Sequence, residues 1–443
     1  MASSPLGLHF RPLALLKRAR GDSLLRNSLF MMATTVVNSA FGYLFWLAAA
    51  RLFSPAAVGL ASAIISVSTI ISLCAQLGVA TVLIQSLPGH KDPTDWWLTL
   101  WTVTLMGAAT TFLLSCAALL ALPLISRDFA SLSHPVYWLL FGAGTVAGTV
   151  GSILDTAFVA ERVSGNMLGR NTVVSGGKAI VLLPIAWLGS AGVLALLGAW
   201  SLAAVLGIAV GGLLVVRRVG TWHRPRPRAS IDHARTLVRR IVGNQFVGLG
   251  GALPPLLLPL LVTARLSARD NAYFYTTWMM CGILLVISPA IARSLFAEGV
   301  HSPGGLRRST RSALAILCFL LVPGMVVFLL VGGILLSTFG HEYAQHSILL
   351  LRLIVLSAVP DAITNLYVSV LMVERRVARA AYLNVGMGVG TIVVSWVLLP
   401  SVGVAAVGWA WLAMQLAGCL VVAIDFVSRH GGPKTPIVAS WGG

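Results

Sequence analysis

The chain has 443 residues, of which 57% are hydrophobic and only 10% are charged, and its mean hydropathy is +0.90. A soluble globular domain carries about 25% charged residues, so this composition excludes a soluble protein. The formal net charge of +18 does not imply a nucleic-acid partner, because membrane proteins use such charge to orient their spans. No nucleic acid is expected.

Apolar segments recur along the whole chain, and each is near the roughly 20 residues that a membrane-spanning helix needs. They predict an all-α integral membrane protein of twelve transmembrane helices in two six-helix lobes, residues 28–216 and 241–427. A basic interfacial segment (1–27), a basic linker (217–240) and a cytoplasmic tail (428–443) complete the predicted organisation. The predicted spans are 28–50, 56–86, 98–122, 136–160, 170–188, 191–216, 241–262, 272–297, 311–336, 345–373, 379–399 and 402–427.

Three short motifs occur once in each predicted lobe, in the same order and at offsets of 214, 213 and 211 residues. This pattern indicates an internal duplication. Six spans per lobe is an even number, so the repeat is parallel, as in transporters whose two halves move about a shared site. The first copies are Ala50-Arg51-Leu52, Glu161-Arg162 with Asn171, and Gly192-Val193 with Trp200; the second are Ala264-Arg265-Leu266, Glu374-Arg375 with Asn384, and Gly403-Val404 with Trp411.

The positive charges predict the orientation of the chain. Most of the 31 lysines and arginines fall on segments that lie in the cytoplasm if both termini do. The opposite loops hold only Arg51, Arg127, Arg265 and Arg269. This bias predicts an N-in, C-in topology in the cytoplasmic membrane of a bacterium, with anionic lipids as partners at the cytoplasmic face.

The loops carry no arrangement that indicates catalysis. The predicted outer loops are short, and their acids Asp128, Asp270 and Glu342 are far apart in sequence. No Gly-rich phosphate loop, H-E-x-x-H pair or nucleophile elbow occurs. We therefore expect neither an enzyme nor a metal or cofactor site.

Several stretches carry a family resemblance. Residues 26–28 lead into Ala49-Ala50-Arg51-Leu52 and Val58-Gly59, and Gln76-Leu77-Gly78 follows; residues 273–275, 294–299 and 352–376 are further matches. These resemble the polysaccharide-transporter branch of the multidrug/oligosaccharidyl-lipid/polysaccharide flippase superfamily, in which a first helix ends in an Ala-Arg-like turn and a Leu-Gly closes the second. The resemblance covers essentially the whole chain. It implies a flippase for an undecaprenyl-diphosphate-linked oligosaccharide, with polysaccharide polymerase and glycosyltransferases as further partners.

A lipid diphosphate needs cations within the membrane, because an unpaired charge is costly there. Lys178, about 12 Å into the fifth predicted span, is the first candidate for this contact, and a structural pairing is its alternative. Arg352 and Arg293 are further candidates, or interfacial anchors. Three polar side chains are predicted either to meet sugar hydroxyls or to bond within the bundle: Asn38, Gln76 and Asn365.

Two acids within the predicted spans are candidates for ion coupling or for pairing between the lobes. Asp361 follows Pro360 in the tenth span, and Asp155 lies near the inner end of the fourth, where a water-facing role is the alternative. We hypothesise that Asp361 alternates between pairing with Lys178 and releasing it to the diphosphate. The duplicated Glu161-Arg162 and Glu374-Arg375 are predicted to be either solvated turns or a symmetric cytoplasmic latch.

Two other functions fit the same architecture. The drug exporters of this superfamily commonly place a coupling acid in the first or seventh span, and here neither span has one. A proton- or sodium-coupled exporter is therefore less favoured, although Asp361 is available for coupling. A scaffold that recruits glycosyltransferases without transport is the third possibility, and charges within the spans argue against it.

Overall fold

The structure, a computed structural model, describes residues 23–76, 79–89, 92–187, 192–219, 246–301 and 306–430. All regular secondary structure in these ranges is helical, which confirms the all-α class. The chain divides into two compact units, unit 1 (residues 1–246) and unit 2 (247–443). The predicted interfacial segment, linker and tail lie largely outside the described residues.

Seven described α-helices belong to unit 1. Prolines and caps mark where several of them begin: Ser54 and Asp92 accept hydrogen bonds from the first turns of α2 and α4, each of which has a proline at its start, as is typical of helix N-termini. The helices are α1 (Ser23–Leu52), α2 (Pro55–Ala75), α3 (Val79–Ser86), α4 (Pro93–Ile125), α5 (Pro135–Ala160), α6 (Ser164–Trp187) and α7 (Gly192–Val219).

Unit 2 also has seven described α-helices. They are α8 (Phe246–Arg265), which begins at the boundary between the units, α9 (Ala268–Leu285), α10 (Ile287–His301), α11 (Leu306–Ser337), α12 (His341–Val373), α13 (Val377–Val402) and α14 (Ala405–His430). The predicted eighth span is therefore two helices that meet at Val286. Pro289 explains the break, because it has no N–H to donate to Leu285 four residues earlier. The predicted second span is likewise divided, into α2 and α3.

Ten helices in the described part of the chain are long and apolar enough to cross a membrane. Each of the twelve predicted spans coincides with one helix or with two consecutive helices. Two helices at predicted spans are not long and apolar enough to be counted among these ten. They are α6, which carries Arg170 and Lys178, and α8, whose apolar part is the shorter Pro254–Arg265. A multi-pass membrane protein is thus established, whereas the count of twelve and the N-in, C-in orientation stay predictions.

The duplicated Glu-Arg motif ends α5 and α12 with the same backbone geometry. Arg162 and Arg375 have φ of 56° and 60°, in the left-handed region. In each copy the next residue donates its N–H to the carbonyl five residues earlier, from Val163 to Phe158 and from Arg376 to Leu371, at 2.9 and 2.8 Å. These are the bonds of a Schellman helix stop. The motif therefore recurs because two duplicated helices end in the same way.

We expect Arg375→Gly to keep or raise the stability of the protein, by up to about 1 kcal/mol, because glycine adopts a positive φ without the strain of an L side chain. The measurement is thermal unfolding of the purified protein in detergent. Arg311→Gly is the matched control: Arg311 is an exposed residue within α11, where glycine should cost about 1 kcal/mol. Equal destabilisation by both changes would contradict the Schellman assignment.

Hydrogen bonds join corresponding spans of the two units at the same sequence spacing. In unit 1 they link α2, the first part of the second span, to α5, and in unit 2 they link α10, the second part of the eighth span, to α12. The bonded pairs are Ser68 with Thr145, Ser72 with Thr149, Ser288 with Asn365, and Ala292 with Ser369, each 77 residues apart. The divided second span thus packs on the fourth span in the same register in both halves, as a duplicated fold requires.

Candidate functional site

A buried ion pair joins α5 and α6 in unit 1. The Arg170 guanidinium donates from Nε to Asp155 Oδ1 at 2.8 Å and from Nη2 to Asp155 Oδ2 at 2.5 Å. The two side chains are only 7% and 15% exposed, so each charge depends on the other for compensation. Asp155, a candidate for ion coupling or for pairing with the other lobe and alternatively a helix-end or water-facing group, is held in this structure by an arginine of its own unit; a coupling role stays a prediction.

Three glycines make the space that the Arg170 side chain occupies. A Cβ added to Gly151 on α5 would lie 2.5 Å from Arg170 Nη1. On α7, added Cβ atoms at Gly207 and Gly211 would lie 3.2 and 3.0 Å from the same side chain. Real Cβ contacts are rarely this short, since interiors are close-packed. The Arg170 guanidinium is therefore held in place by close packing against both α5 and α7.

Amide and hydroxyl groups extend this pair toward α1. Asn171 donates to Asp155 Oδ2 at 2.8 Å and accepts from Asn38 Nδ2 at 3.3 Å. Ser175 then donates to Asn38 Oδ1 at 2.7 Å. Asn38, predicted either to bind substrate or to bond within the bundle, thus has partners on α6. The chain of polar contacts ties α1, α5 and α6 together.

Lys178 lies on α6 two turns beyond Arg170. Its Nζ is 5.5 Å from the centroid of the Phe45 ring on α1, a distance at which a cation is attracted to the aromatic face. Among the described residues, no carboxylate lies within ion-pair distance of Lys178. The ring compensates the charge only in part, because a cation–π contact is weaker than a buried, hydrogen-bonded ion pair.

Asp361 is the centre of a polar cluster in unit 2. The residue is 7% exposed, and its carboxylate accepts hydrogen bonds from Ser288 at 2.5 Å, Asn365 at 3.0 Å and Gln415 at 3.2 Å. These donors come from α10, α12 and α14. Within the described residues the cluster contains no arginine or lysine, so neutral dipoles are what face this acid.

A cavity of about 340 Å³ lies beside Asp361, large enough for roughly ten water molecules. Its polar wall includes Asn365, Asn384 and Gln415, and its aromatic wall includes Trp278 and Trp411. The two indole rings are 5.0 Å apart in an edge-to-face arrangement. Such a mixture of apolar walls and a few polar groups is typical of sites for small ligands or hydrated ions.

The other predicted substrate contacts lie outside these two clusters. Gln76, at the end of α2, accepts a hydrogen bond from Ser152 at 2.6 Å and so joins α2 to α5. Arg293 on α10 and Arg352 on α12 are exposed. In the described part of the chain neither has an ion-pair partner. The structure does not bring these residues together with Lys178 or Asp361 within one unit.

The predicted latch residues make contacts within their own units. Glu161 accepts a hydrogen bond from the Trp96 indole at 2.9 Å, and Glu374 lies 3.4 Å from Arg376 Nε. Arg162 and Arg375 are exposed. The helix stop accounts for the duplicated motif, and a latch function stays a prediction.

Sequence reasoning missed Arg170, Ser288, Gln415 and the role of the repeated asparagines. The predicted span 170–188 puts Arg170 at its first residue, whereas α6 begins at Ser164, so Arg170 lies well inside the helix. The duplication itself was the available signal. Asn171 bonds Asp155 in unit 1, and its repeat equivalent Asn384 lines the Asp361 cavity in unit 2.

Comparisons with known proteins agree with this architecture. The family model described as "Polysaccharide biosynthesis protein" matches residues 48–348. A search of curated proteins finds no match for the chain. The fold is similar to that of a multidrug resistance MATE family transporter of the MOP superfamily in an inward-facing conformation, with a TM-score of 0.69, 14% identity and coverage of 93% of this chain and 100% of that one.

Two further solved structures share the fold. The lipid II flippase MurJ in an inward closed conformation has a TM-score of 0.70 at 12% identity, covering 90% of this chain and 87% of that one. An outward-facing MATE family transporter has a TM-score of 0.59 at 14% identity, covering 93% and 97%. At these identities the likeness establishes the fold alone. Because the family model spans more than half of the sequence, the chain belongs to the polysaccharide biosynthesis protein family.

Proposed function

We propose that this protein moves an undecaprenyl-diphosphate-linked oligosaccharide from the inner to the outer leaflet of a bacterial cytoplasmic membrane, by alternating access, for assembly of a surface polysaccharide. Membership of the polysaccharide biosynthesis family supports this proposal, as does a fold similar to that of a lipid II flippase. The expected partners are the lipid-linked oligosaccharide and the polymerase and glycosyltransferases that handle it.

Lys178 is the observation that carries the proposal. A lysine within a membrane helix is costly and is usually functional, and here it has an aromatic ring but no carboxylate near it in the described part of the structure. A lysine without a nearby carboxylate favours binding of a phosphate, because the negative charge of the phosphate balances the ammonium charge that the aromatic ring balances only in part. We assign Lys178 as the diphosphate contact, with Arg352 and Arg293, both exposed, as secondary contacts.

Asp361 is proposed as the coupling group. Its hydrogen-bond donors are neutral, and the adjacent cavity has room for water or a hydrated cation. Binding of a proton or a cation to the Asp361 carboxylate would change which of Ser288, Asn365 and Gln415 donate hydrogen bonds to it. The hypothesised exchange of Lys178 between Asp361 and the diphosphate predicts that the charge swap Lys178→Asp with Asp361→Lys restores activity that either single change removes.

We expect Asp361→Asn to remove the dependence of transport on an ion or proton gradient, because asparagine has nearly the same shape but cannot change its charge. The measurement is transport by reconstituted protein with and without an imposed gradient. Asp128→Asn, in the loop between α4 and α5, is the control and should respond like the wild type. A gradient response that survives in Asp361→Asn would contradict the assignment.

The proposed function is tested with purified protein in liposomes that carry a fluorescent undecaprenyl-diphosphate-linked sugar, with a quencher reporting the leaflet. Wild-type protein should expose the sugar on the opposite side faster than protein-free liposomes do. A multidrug exporter is the alternative, favoured by the cavity with two tryptophans beside Asp361. Exchange of a hydrophobic cation for protons, without movement of the lipid, would establish the exporter instead.

A further inference from the structure

A second large cavity in unit 2 opens on the surface and shares one wall residue, Met387, with the cavity beside Asp361. This groove has a volume of about 700 Å³ and runs between α12, α13 and α14. Its walls are mostly apolar, and several wall residues are well exposed, including Val421 at 50% and Ile424 at 60%. The apolar wall is formed by Leu371, Leu383, Met387, Met414, Val421 and Ile424.

One end of the groove is polar and carries positive charge. Asp425 accepts hydrogen bonds from Tyr367 at 2.7 Å and from Arg379 at 3.3 Å. The Arg379 side chain is 62% exposed, so its guanidinium is open to a further partner. Arg375 and Arg376 lie on the adjacent turn between α12 and α13 and are exposed too. Glu374 on the same turn lies 3.4 Å from Arg376, so three arginines stand against two carboxylates and this end keeps a net positive charge that can accept an anion.

The dimensions of the groove match one leaflet of a bilayer. Met414 precedes Asp425 by eleven residues on α14, which corresponds to about 16 Å of helix. Half of the hydrocarbon core is about 15 Å thick. Arg379 and Asp425 lie near the helix ends, and the exposed Tyr382 stands beside them, as aromatic residues do at membrane interfaces. The polar end thus falls at head-group depth and the apolar part at acyl-chain depth.

We infer that this groove binds an anionic phospholipid, with the phosphate at Arg379 and one acyl chain along the apolar wall. A methylene group occupies about the same ~30 Å³ as a water molecule, so the groove accepts roughly 20 carbons. One acyl chain fits, whereas an undecaprenyl chain has more than twice that number. The inference concerns a structural or regulatory lipid and does not depend on which substrate the protein transports.

The experiment uses the full-length protein in detergent with added dioleoylphosphatidylglycerol or dioleoylphosphatidylcholine, and native mass spectrometry to count bound lipid. Wild-type protein should retain the anionic lipid in preference to the zwitterionic one. Gly386→Leu should reduce binding about tenfold, because contact with several methylene groups is lost. Gly386 lines the groove, so a leucine there takes up groove volume, and the substitution causes no clash at the Cβ, which meets no atom within 4 Å.

The matched control is Gly212→Leu on α7, where an added Cβ also meets no atom within 4 Å; it should bind lipid like the wild type. Arg379→Gln should remove the preference for the anionic lipid. The inference is overturned if wild-type protein binds the two lipids equally, or if Gly386→Leu binds as the wild type does. Displacement of phosphatidylglycerol by equimolar undecaprenyl phosphate would also overturn it and would make the groove a prenyl site.

Discussion

Lys178→Ala is expected to lower the rate of lipid-linked sugar translocation by about tenfold to a hundredfold, since a hydrogen bond to a charged group contributes about 1.5–3 kcal/mol. The loss is expected because alanine removes the cation proposed to contact the diphosphate, whose described neighbour is the Phe45 ring. The measurement is the initial rate in the liposome assay, with reconstituted protein quantified in each sample. Thermal unfolding should be close to that of the wild type, because the change breaks no ion pair in the described structure.

Two matched variants separate charge from size at this position. Lys178→Arg keeps the cation and should retain most of the activity, whereas Lys178→Met keeps the length of the side chain and should be as slow as alanine. Arg311→Ala removes an exposed positive charge from α11 and should leave the rate unchanged. Full activity in Lys178→Met would show that Lys178 has only a packing role against Phe45.

Arg170→Ala is expected to destabilise the protein by about 3–5 kcal/mol, because it leaves the Asp155 carboxylate buried without its partner. The two side chains are 7% and 15% exposed, so water cannot readily replace the guanidinium. The measurement is thermal or denaturant unfolding of the protein in detergent, together with the yield of folded protein in membranes.

A double-mutant cycle tests whether the pair itself is responsible. Asp155→Ala combined with Arg170→Ala should cost less than the sum of the single changes by at least about 1 kcal/mol, since no unpaired charge remains. Arg379→Ala with Asp425→Ala is the control, because that pair is 62% and 18% exposed and its coupling should be at most about 1 kcal/mol. Additive effects at Asp155 and Arg170 would contradict a buried pair.

The sequence pattern does not show which polar side chains contact each other in the interior of each unit. Arg170 looks like one more basic residue at the inner end of a span, and it becomes a buried partner of Asp155 only when α5 and α7 present glycines to it. Gln415 and Ser288 are 127 residues apart in the chain, yet both donate to Asp361. Hydropathy measures the average polarity of a segment, so it cannot report which polar groups meet.

The sequence by itself determined the membrane class, the helical content, the positions of the helices to within a few residues and the duplication. These follow from local physics, because a backbone in hydrocarbon must satisfy its hydrogen bonds within a helix and each helix needs a long apolar run. Only the tertiary structure decided that Glu161-Arg162 and Glu374-Arg375 form helix stops, that Asp155 is paired, and that Lys178 faces Phe45. Those outcomes depend on packing between segments distant in sequence. A single glycine, or the alignment of one helix along its neighbour, determines which side chains meet.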